Sequence, residues 1–346
     1  MPKQPIEWQR KNEHIFLAEK YYQKHNPFFD EMRLMPVSIP NIALDQVDIH
    51  TAWKQQQADG PLYINAMTGG APQTIAINQK LATLAATLKI PLAVGSMSNY
   101  LKYPAEAEIR HSYTIVRESN PHGIIWANVS AHTPWADAQK CIDLIQADAL
   151  QVHLNAAQET IMPEGDSNFV WQENLRQILK HISVPVIIKE VGFGMTAQTV
   201  QQLQELGAKV IDISGRGGTN FAQIENTRNH QKDYQFLNDW GLTTLESLLD
   251  TQKFQSQSCI LASGGIRSPL DVIKCLVLGA HAVGIAAPVL HLLEHQGLAA
   301  TTKHFAQWLE QIRELMALLG CHNCQELQQV DYRLSANLQN FLTSRT

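Results

Sequence analysis

Eight short apolar segments, most of them separated by stretches with a helical hydrophobic period, constrain the fold of this chain more than any other feature. Strands that alternate with helices indicate a parallel sheet. Eight such units predict an α/β protein whose sheet closes into a (β/α)8 TIM barrel. The segments span residues 61–67, 90–95, 123–130, 149–155, 185–191, 209–214, 260–262 and 281–288.

The two ends of the chain do not follow this repeat. We predict that residues 1–58 form an N-terminal extension with a helix over 8–22, and that residues 59–346 form the barrel. The charged cluster at 10–14 favours a solvated helix face from its spacing alone, and a cationic arm over a bound anion is the alternative. Residues 302–319 have their apolar side chains on one face, which predicts a C-terminal amphipathic helix packed on the barrel wall.

The composition excludes several classes of protein. With 346 residues, 45% hydrophobic and 17% charged, the chain can bury a large core and is not disordered. A formal net charge of -5 argues against general nucleic-acid binding, so any phosphate site must be local. The five cysteines suit a reducing cytoplasm, and we interpret the CxxC of Cys321 and Cys324 as ordinary structure.

No segment predicts a membrane anchor. Residues 1–14 are polar and contain no apolar signal core. The longest apolar stretch, around 282–293, is interrupted by His291 and is shorter than the ~20 residues that a membrane helix needs. We therefore expect a cytoplasmic protein with no membrane partner.

A glycine turn at 259–269, CILASGGIRSP, predicts an anion site. A short strand stops at Ser263, two adjacent glycines follow, and a helix is predicted over 270–278. The glycines let backbone amides approach a ligand, and Arg267 adds a permanent positive charge. A plain turn between strand and helix explains this segment equally well on its own. The next strand ends in small residues, which favours a phosphate shared by the last two turns of a barrel.

One segment also fits a different architecture. Residues 192–197 match GxGxxA after a strand, and Asp212 lies 20 residues after Gly192, as in a dinucleotide-binding fingerprint. The unit is the fifth of eight similar repeats and not the first of a doubly wound half, so a barrel turn is favoured.

The residues at the strand ends indicate the chemistry, because barrel enzymes place their sites there. They are rich in uncharged donors and acceptors, among which Lys189 and Glu159 stand out. Small residues and amides around a phosphate site suit a flat, phosphorylated ring such as FMN. Lys189 could reach an electron-rich edge of such a ring, and an ion pair with Asp212 is the alternative.

Six motifs together resemble those of type 2 isopentenyl-diphosphate isomerases, which are FMN-dependent (β/α)8 enzymes. The resemblance covers most of the chain, and the motifs occur in the right order. They are RKNEH at 10–14, INAMTGG at 64–70, QVHLNAAQE at 151–159, VPVIIKEVGFG at 184–194, DISGRGGTN at 212–220 and ASGGIRSPLD at 262–271.

The resemblance implies a role for each matching residue. Gln158 would lie beside the reacting alkene, Lys189 would tune the flavin, and Glu159 would help to hold Mg²⁺ against the substrate diphosphate. The residues implied in substrate binding are Arg10, Lys11, His14, His153, Asn155 and Gln158. The residues implied in FMN binding are Ala66, Met67, Thr68, Ser96, Asn128, Lys189, Ser214 and Thr219, with Gly264, Gly265, Ile266, Arg267, Ala286 and Ala287 around its phosphate.

The implied reaction interconverts isopentenyl and dimethylallyl diphosphate in isoprenoid biosynthesis. Reduced FMN would act as acid and base, NADPH or a similar donor would supply the reduction, and a homo-oligomer, tetramer or octamer, is expected. The chain departs from the family pattern after the second strand, where many members have Gly-Ser-Gln-Arg and this chain has Ser98 in place of the arginine.

The sequence also bears on two alternative functions. An FMN-dependent 2-hydroxy-acid oxidase needs a catalytic histidine where this chain has Arg216. A non-catalytic flavin-binding scaffold does not need Gln158 or a magnesium-binding Glu159. Residues 220–240 are long and polar for a loop of this kind, which makes a lid a further hypothesis.

Overall fold

The computed structural model describes residues 6–53 and 56–345. The helices α1–α13 are Ile6–Lys20, Ile75–Leu88, Ser98–Lys102, Ala107–Ser119, Trp135–Ile145, Ala156–Ile161, Gln172–His181, Ala197–Glu205, Phe221–Arg228, Thr244–Thr251, Pro269–Val277, Ala287–Leu318 and Ala336–Arg345. The strands β1–β12 are Met32–Leu34, Thr51–Trp53, Gln56–Ala58, Leu62–Ile64, Leu92–Ala93, Ile125–Ser130, Ala149–Leu154, Val186–Glu190, Val210–Asp212, Cys259–Ser263, Ala282–Ile285 and Tyr332–Leu334.

Strands β4 to β11 form a closed parallel barrel. Neighbours in sequence are neighbours in space, and β11 pairs with β4 to close the ring through Gly284 and Tyr63. Each of the eight predicted segments overlaps one barrel strand, so the predicted fold class is confirmed. The doubly wound alternative for residues 192–197 is wrong, because the sheet closes and leaves no crevice between two halves.

Side chains fill the interior of the barrel. Tyr63 and Trp126 are fully buried there, with ring centroids 5.0 Å apart, alongside Ile187 and Leu261. A Cβ atom on Gly284 would lie 2.5 Å from the Tyr63 ring, so this position needs glycine to admit the tyrosine. Burying a side chain of this size contributes about 1.5–3 kcal/mol, and the interior is a packed floor beneath the strand ends.

The N-terminal extension packs against the barrel at several points. Helix α1 contacts α9 and α12, and β1 pairs with β12 from the C-terminal part of the chain, with Met32 opposite Leu334. The Lys274 ammonium donates to the carbonyl oxygen of Phe29 at 2.6 Å. Helix α1 begins at Ile6, two residues before the predicted start, and residues 1–5 of the predicted extension lie outside the described residues.

The predicted C-terminal amphipathic helix is the second half of α12. Its apolar face, which includes Phe305, Trp308 and Ile312, is buried. The helix is interrupted at Gly297, whose φ of 78° and ψ of 174° are not helical. The Thr196 side chain caps α8 by accepting the N–H of Thr199.

Residues 220–240 are more regular than predicted. They contain α9 and a short 3-10 helix at Gln235–Leu237, and Asn220 caps α9 by accepting the N–H of Gln223. Ala222, Ile224 and Glu225 are buried, so α9 packs on the protein and is not an open loop. Within the described residues, no helix is both long enough and apolar enough to span a membrane.

Candidate active site

A cavity of about 1070 Å³ opens where the barrel strands end. Its walls are the turns that follow β4, β8, β9, β10 and β11, and α1 lies along one side. It is lined by most of the residues predicted to hold the cofactor: Ala66, Met67, Lys189, Ser214, Thr219, Gly264, Gly265, Ile266, Arg267, Ala286 and Ala287.

The glycine turn after β10 lies against the turn after β9 so closely that no side chain fits. Gly264 has φ of +103°, and a Cβ atom there would lie 1.9 Å from the carbonyl oxygen of Gly215. Gly265 has φ of +76°, and its Cβ would lie 2.6 Å from the carbonyl carbon of Gly217. In the described part of the chain, the N–H groups of Gly264, Gly265 and Ile266 have no recorded acceptor. They are therefore available to an anion.

Arg267 binds the N-terminal extension to this turn. Its Nε donates to the Gln23 carbonyl oxygen at 2.7 Å, and its guanidinium lies 5.0 Å from the centre of the Tyr22 ring. Asn26 Nδ2 donates to the Gly265 carbonyl oxygen at 3.0 Å. The arginine predicted as a phosphate ligand thus also positions the segment that covers the turn.

A second cavity of about 1140 Å³ adjoins the first. Lys11, His14, Ala66, Met67 and Lys189 line both, so the two spaces meet at these side chains. The second cavity gathers the remaining predicted residues: Arg10, Ser96, Asn128, His153, Asn155, Gln158 and Glu159. Thr68 lines neither cavity, is buried, and has a hydroxyl without a recorded partner among the described residues.

A chain of side-chain hydrogen bonds crosses the barrel beneath these cavities. Asp212 accepts from Asn65 at 3.3 Å, Asn65 accepts from Gln151 at 3.3 Å, and Gln151 accepts from Asn128 at 3.1 Å. The Asn128 carbonyl oxygen then faces His153 Nδ1 at 2.8 Å. In this amide orientation Nδ1 carries the proton and Nε2 keeps its lone pair. Burial, with Lys189 nearby, lowers the pKa of His153 to about 3, so the ring is neutral.

Lys189 is buried at the junction of the two cavities. Its ammonium donates to the Glu190 carbonyl oxygen at 2.5 Å and to Ser214 Oγ at 3.1 Å. Asp212 is bound instead by Tyr63, by Ser263 and by the N–H of Ser214, besides Asn65. The alternative of a Lys189–Asp212 ion pair is therefore wrong in the described structure, and the ammonium faces the cavities.

Glu225 on α9 connects the N-terminal helix to the second cavity. Its fully buried carboxylate accepts from Gln158 Nε2 at 2.9 Å and lies 2.9 Å from His14 Nε2. Burial alone would raise the pKa of Glu225, but its contacts with His14 and Gln158 and the charge of Arg228 hold it below its usual value. Glu225 thereby fixes which end of the Gln158 amide faces the cavity.

Arg228 compensates the charge of this buried carboxylate. Its guanidinium contacts Glu225 at 2.5 Å, Glu13 at 2.8 Å and Glu164 at 2.8 Å, and its side chain is 8% exposed. One arginine thus joins α1, α9 and the segment after α6. Arg10 lies 3.7 Å from Glu164 and directs its guanidinium along the edge of the second cavity.

Comparison with known proteins identifies the family. A family model described as FMN-dependent dehydrogenase matches residues 104–333. A Latilactobacillus sakei protein named isopentenyl-diphosphate delta-isomerase is 46% identical over 346 residues, which is 99% of this chain and 98% of that protein. A Staphylococcus saprophyticus protein of the same name is 44% identical over 338 residues, 97% of this chain and 96% of its own.

The chain belongs to the FMN-dependent, type 2 isopentenyl-diphosphate delta-isomerases.

Solved structures show that the fold is shared more widely. A mandelate oxidase has a TM-score of 0.62 at 16% identity, over 94% of this chain and 91% of that one. A flavocytochrome b2 variant has a TM-score of 0.69 at 18% identity, over 96% and 84%. The enzyme class expected from the sequence motifs is confirmed by the isomerase relatives, and these distant structures support the barrel alone.

The first cavity fits the FMN that this isomerase family uses. The paired glycines bring free backbone N–H groups to the turn after β10, and helix α12 begins at Ala287, where N-terminal N–H groups favour a phosphate. Between the start of α12 and Lys189, the cavity walls are small residues that leave room for a ring.

The second cavity fits a magnesium ion on a diphosphate. Glu159 accepts from Asn155 Nδ2 at 2.7 Å and from the N–H of Asp166 at 2.9 Å, which orients its carboxylate. The Asn155 amide oxygen is buried and has no recorded partner within the described ranges. Carboxylate and amide oxygens are the donors that Mg²⁺ accepts, with phosphate and water completing its octahedron.

Two departures from expected patterns have structural outcomes. Ser98, which stands where many family members have arginine, lines the second cavity of the isomerase. Arg216, which stands where an oxidase would need histidine, contacts Asp239 at 2.8 Å and lies 4.9 Å from the centre of the Phe28 ring. It lines a side cavity and not the first one, so it does not replace the missing base.

Glu225 and Arg228 were not predicted from the sequence as site residues. Both lie in the segment that was interpreted as a polar loop, because α9 has little amphipathic periodicity. Residues 221–237 contain no glycine or proline, and Asn220 is a favourable capping residue. The Glu225–Arg228 pair is also spaced for one helix face, and these signals together could have predicted α9.

Proposed function

We propose that this chain interconverts isopentenyl diphosphate and dimethylallyl diphosphate in isoprenoid biosynthesis. One observation carries the proposal: a glycine-lined cavity suited to FMN joins, at Lys189, a second cavity that contains Gln158, Glu159 and two cationic residues of α1. A flavin-binding scaffold would need only the first of these. In this proposal the flavin occupies the first cavity and the diphosphate occupies the adjoining second cavity.

The reaction moves a double bond by adding a proton at one carbon and removing a proton from another, without net oxidation. Gln158 is an amide and cannot protonate an alkene, and His153 is neutral, so neither is an acid of the required strength. Reduced FMN, when bound, supplies the acid–base chemistry. Lys189, buried where the cavities meet, places a positive charge against the electron-rich ring.

The diphosphate is held from two sides. Arg10 and Lys11 approach from α1, and Glu159 with the Asn155 amide oxygen would hold Mg²⁺ against the phosphate oxygens. When the diphosphate is fixed between α1 and Glu159, the hydrocarbon tail of the substrate is directed toward Lys189 and the first cavity. Gln158, held by Glu225, then lies beside the tail and orients it.

The remaining expectations from the resemblance form part of the same proposal. Reduction of the flavin has to come from outside the chain, and NADPH is the proposed donor. The proposed assembly is a homo-oligomer, a tetramer or octamer, and the proposed location is the cytoplasm. Elution volume with light scattering tests the assembly.

An anaerobic assay tests the function. Purified protein with FMN, Mg²⁺ and isopentenyl diphosphate should form dimethylallyl diphosphate when the flavin is reduced with dithionite and not when it is oxidised. Glu159→Gln should retain FMN and lose activity, whereas Glu118→Gln, an exposed carboxylate on α4, should retain both. A flavin-loaded, reduced enzyme that forms no product would overturn the proposal.

A further inference from the structure

Two histidines and a glutamate meet where α1 faces the first half of α12. Glu19 Oε2 lies 2.9 Å from His291 Nδ1 and 3.2 Å from His295 Nε2. The three ligand atoms lie within 4.8 Å of one another. No residue of this cluster was singled out as a site from the sequence, and none carries a part of the proposed reaction.

We propose that Glu19, His291 and His295 form a binding site for a divalent transition metal such as Zn²⁺. His291 and His295 are four residues apart on the first half of α12, so both rings project from the same face of one helix. Two imidazoles and one carboxylate are a ligand set that binds zinc with a fourth position left for water.

The distances suit such an ion. Bonds of about 2.0–2.2 Å in a tetrahedral zinc centre separate neighbouring ligand atoms by roughly 3.4 Å. The two contacts to Glu19, at 2.9 and 3.2 Å, are within about 0.5 Å of that separation. An ion can therefore replace the two imidazole protons that now bridge to the carboxylate without a large movement of either helix.

The surroundings orient the ligands and leave access from solvent. The Tyr22 ring stacks on His291 with centroids 4.1 Å apart and an interplanar angle of 17°. The other side of the site is open, because the His295 side chain is 60% exposed. Packing against Tyr22 restricts the histidine ring, which is how the outer shell of a metal site fixes its ligands.

The ligands also differ from those of the proposed magnesium site. Mg²⁺ prefers oxygen ligands and keeps several waters, so it should not compete effectively at two imidazoles. A bound ion would join α1 to the first half of α12, which begins at Ala287 beside the proposed phosphate site. We expect the metal to hold α1, and with it Arg10 and Lys11, against the barrel.

Metal stoichiometry tests this inference independently of catalysis. Flavin-loaded protein without a histidine tag is incubated with Zn²⁺, desalted, and analysed for zinc per chain, with calorimetry for affinity. His295→Ala and Glu19→Gln should each bind one equivalent less than the unmodified chain. The loss in affinity should exceed the roughly 10–100-fold that removal of an outer-shell partner costs.

Three matched variants serve as controls and should bind as the unmodified chain does. Glu294→Gln removes an exposed carboxylate adjacent to His295, His122→Ala removes an exposed histidine elsewhere, and Glu159→Gln removes the proposed magnesium ligand. Zinc should also raise the midpoint of thermal unfolding of the unmodified chain but not of His295→Ala. Equal zinc content in the unmodified chain, His295→Ala and Glu19→Gln would overturn the proposal.

Discussion

His153 and Asp212 occupy the two ends of one chain of hydrogen bonds, although they lie on β7 and β9 with β8 between them. Three buried amides connect them, and each amide oxygen accepts from the next side chain along. Because a carboxylate can only accept, Asp212 sets the orientation of the whole chain. The far end of that chain is the Nδ1 proton of His153.

Replacing Asn128 with aspartate should raise the pKa of His153 from its value of about 3. A carboxylate 2.8 Å from Nδ1 favours the imidazolium form and should shift the pKa by about 1–3 units. Proton NMR titration of the His153 ring measures the change. Ser130→Ala, a neutral change in the same cavity, should leave the His153 titration unaltered. An unshifted His153 pKa in Asn128→Asp would show that residue 128 does not contact Nδ1 of His153.

Substrate binding should weaken as the pH rises above 7. Burial, reinforced by the charge of Arg10, lowers the pKa of Lys11 to about 7, so the ammonium proposed to bind the diphosphate is lost above that pH. Loss of one charge-assisted contact is worth about 1.5–3 kcal/mol, or roughly 10–100-fold in affinity. Measurement of KM against pH checks this, and Lys11→Arg, which stays charged, should give a flatter profile.

The titration of Lys11 should also make the stability of the fold depend on pH. Stability should rise with pH, whereas substrate affinity should fall. Between pH 7 and its unfolded value of 10.5, the unfolded chain binds more protons at Lys11 than the folded chain does. The free energy of unfolding of the ligand-free protein should therefore rise with pH in that window. Chemical denaturation measures the free energy of unfolding of the unmodified chain and of Lys11→Met. The difference between the two free energies should narrow as the pH rises from 7 to 10.5.

Gly264→Ala and Gly207→Ala form a matched pair, because both glycines have φ of +103°. A Cβ atom on Gly207 meets nothing within 4 Å, whereas on Gly264 it would lie 1.9 Å from the Gly215 oxygen. Gly207→Ala should cost only the backbone strain of about 1–3 kcal/mol. Gly264→Ala should also lose bound FMN, measured as flavin retained after desalting; equal retention would show that the turn does not hold the phosphate.

Arg228→Ala should destabilise the fold by about 3–5 kcal/mol, because it leaves the Glu225 carboxylate buried without a countercharge. Denaturant unfolding measures the loss. Arg176 and Glu173 form an ion pair with the same spacing of three residues along a helix, but both side chains are at least half exposed. Arg176→Ala should therefore have little effect. A similar effect of both variants would mean that the Arg228 network does not stabilise the fold.

Ser98→Arg should strengthen diphosphate binding. Ser98 lines the second cavity, and an arginine there would add a bidentate contact worth about 1.5–3 kcal/mol, or roughly 10–100-fold. Calorimetry with inorganic diphosphate and Mg²⁺ measures the affinity. Ser98→Gln adds similar length without charge and should not improve binding; if it does, the gain comes from contact and not from charge.

The repeat of strands and helices determined the fold class without reference to any tertiary contact. Each barrel strand is a local apolar run, and each turn between strand and helix has its own glycines, caps or small residues, so these elements could be predicted separately. The glycine turn at Gly264 was identifiable for the same reason, since a strand, two glycines and the start of a helix lie within eleven residues.

Only the tertiary structure decided which side chains act on one another. Glu225, His14 and Gln158 come from three separate parts of the chain and meet at one carboxylate. The pKa of Lys11 and the neutral state of His153 depend on burial, which no local pattern records. Local chemistry specifies the strands, helices and turns of this barrel, whereas desolvation and long-range hydrogen bonding, which exist only after folding, determine the protonation and orientation of its functional groups.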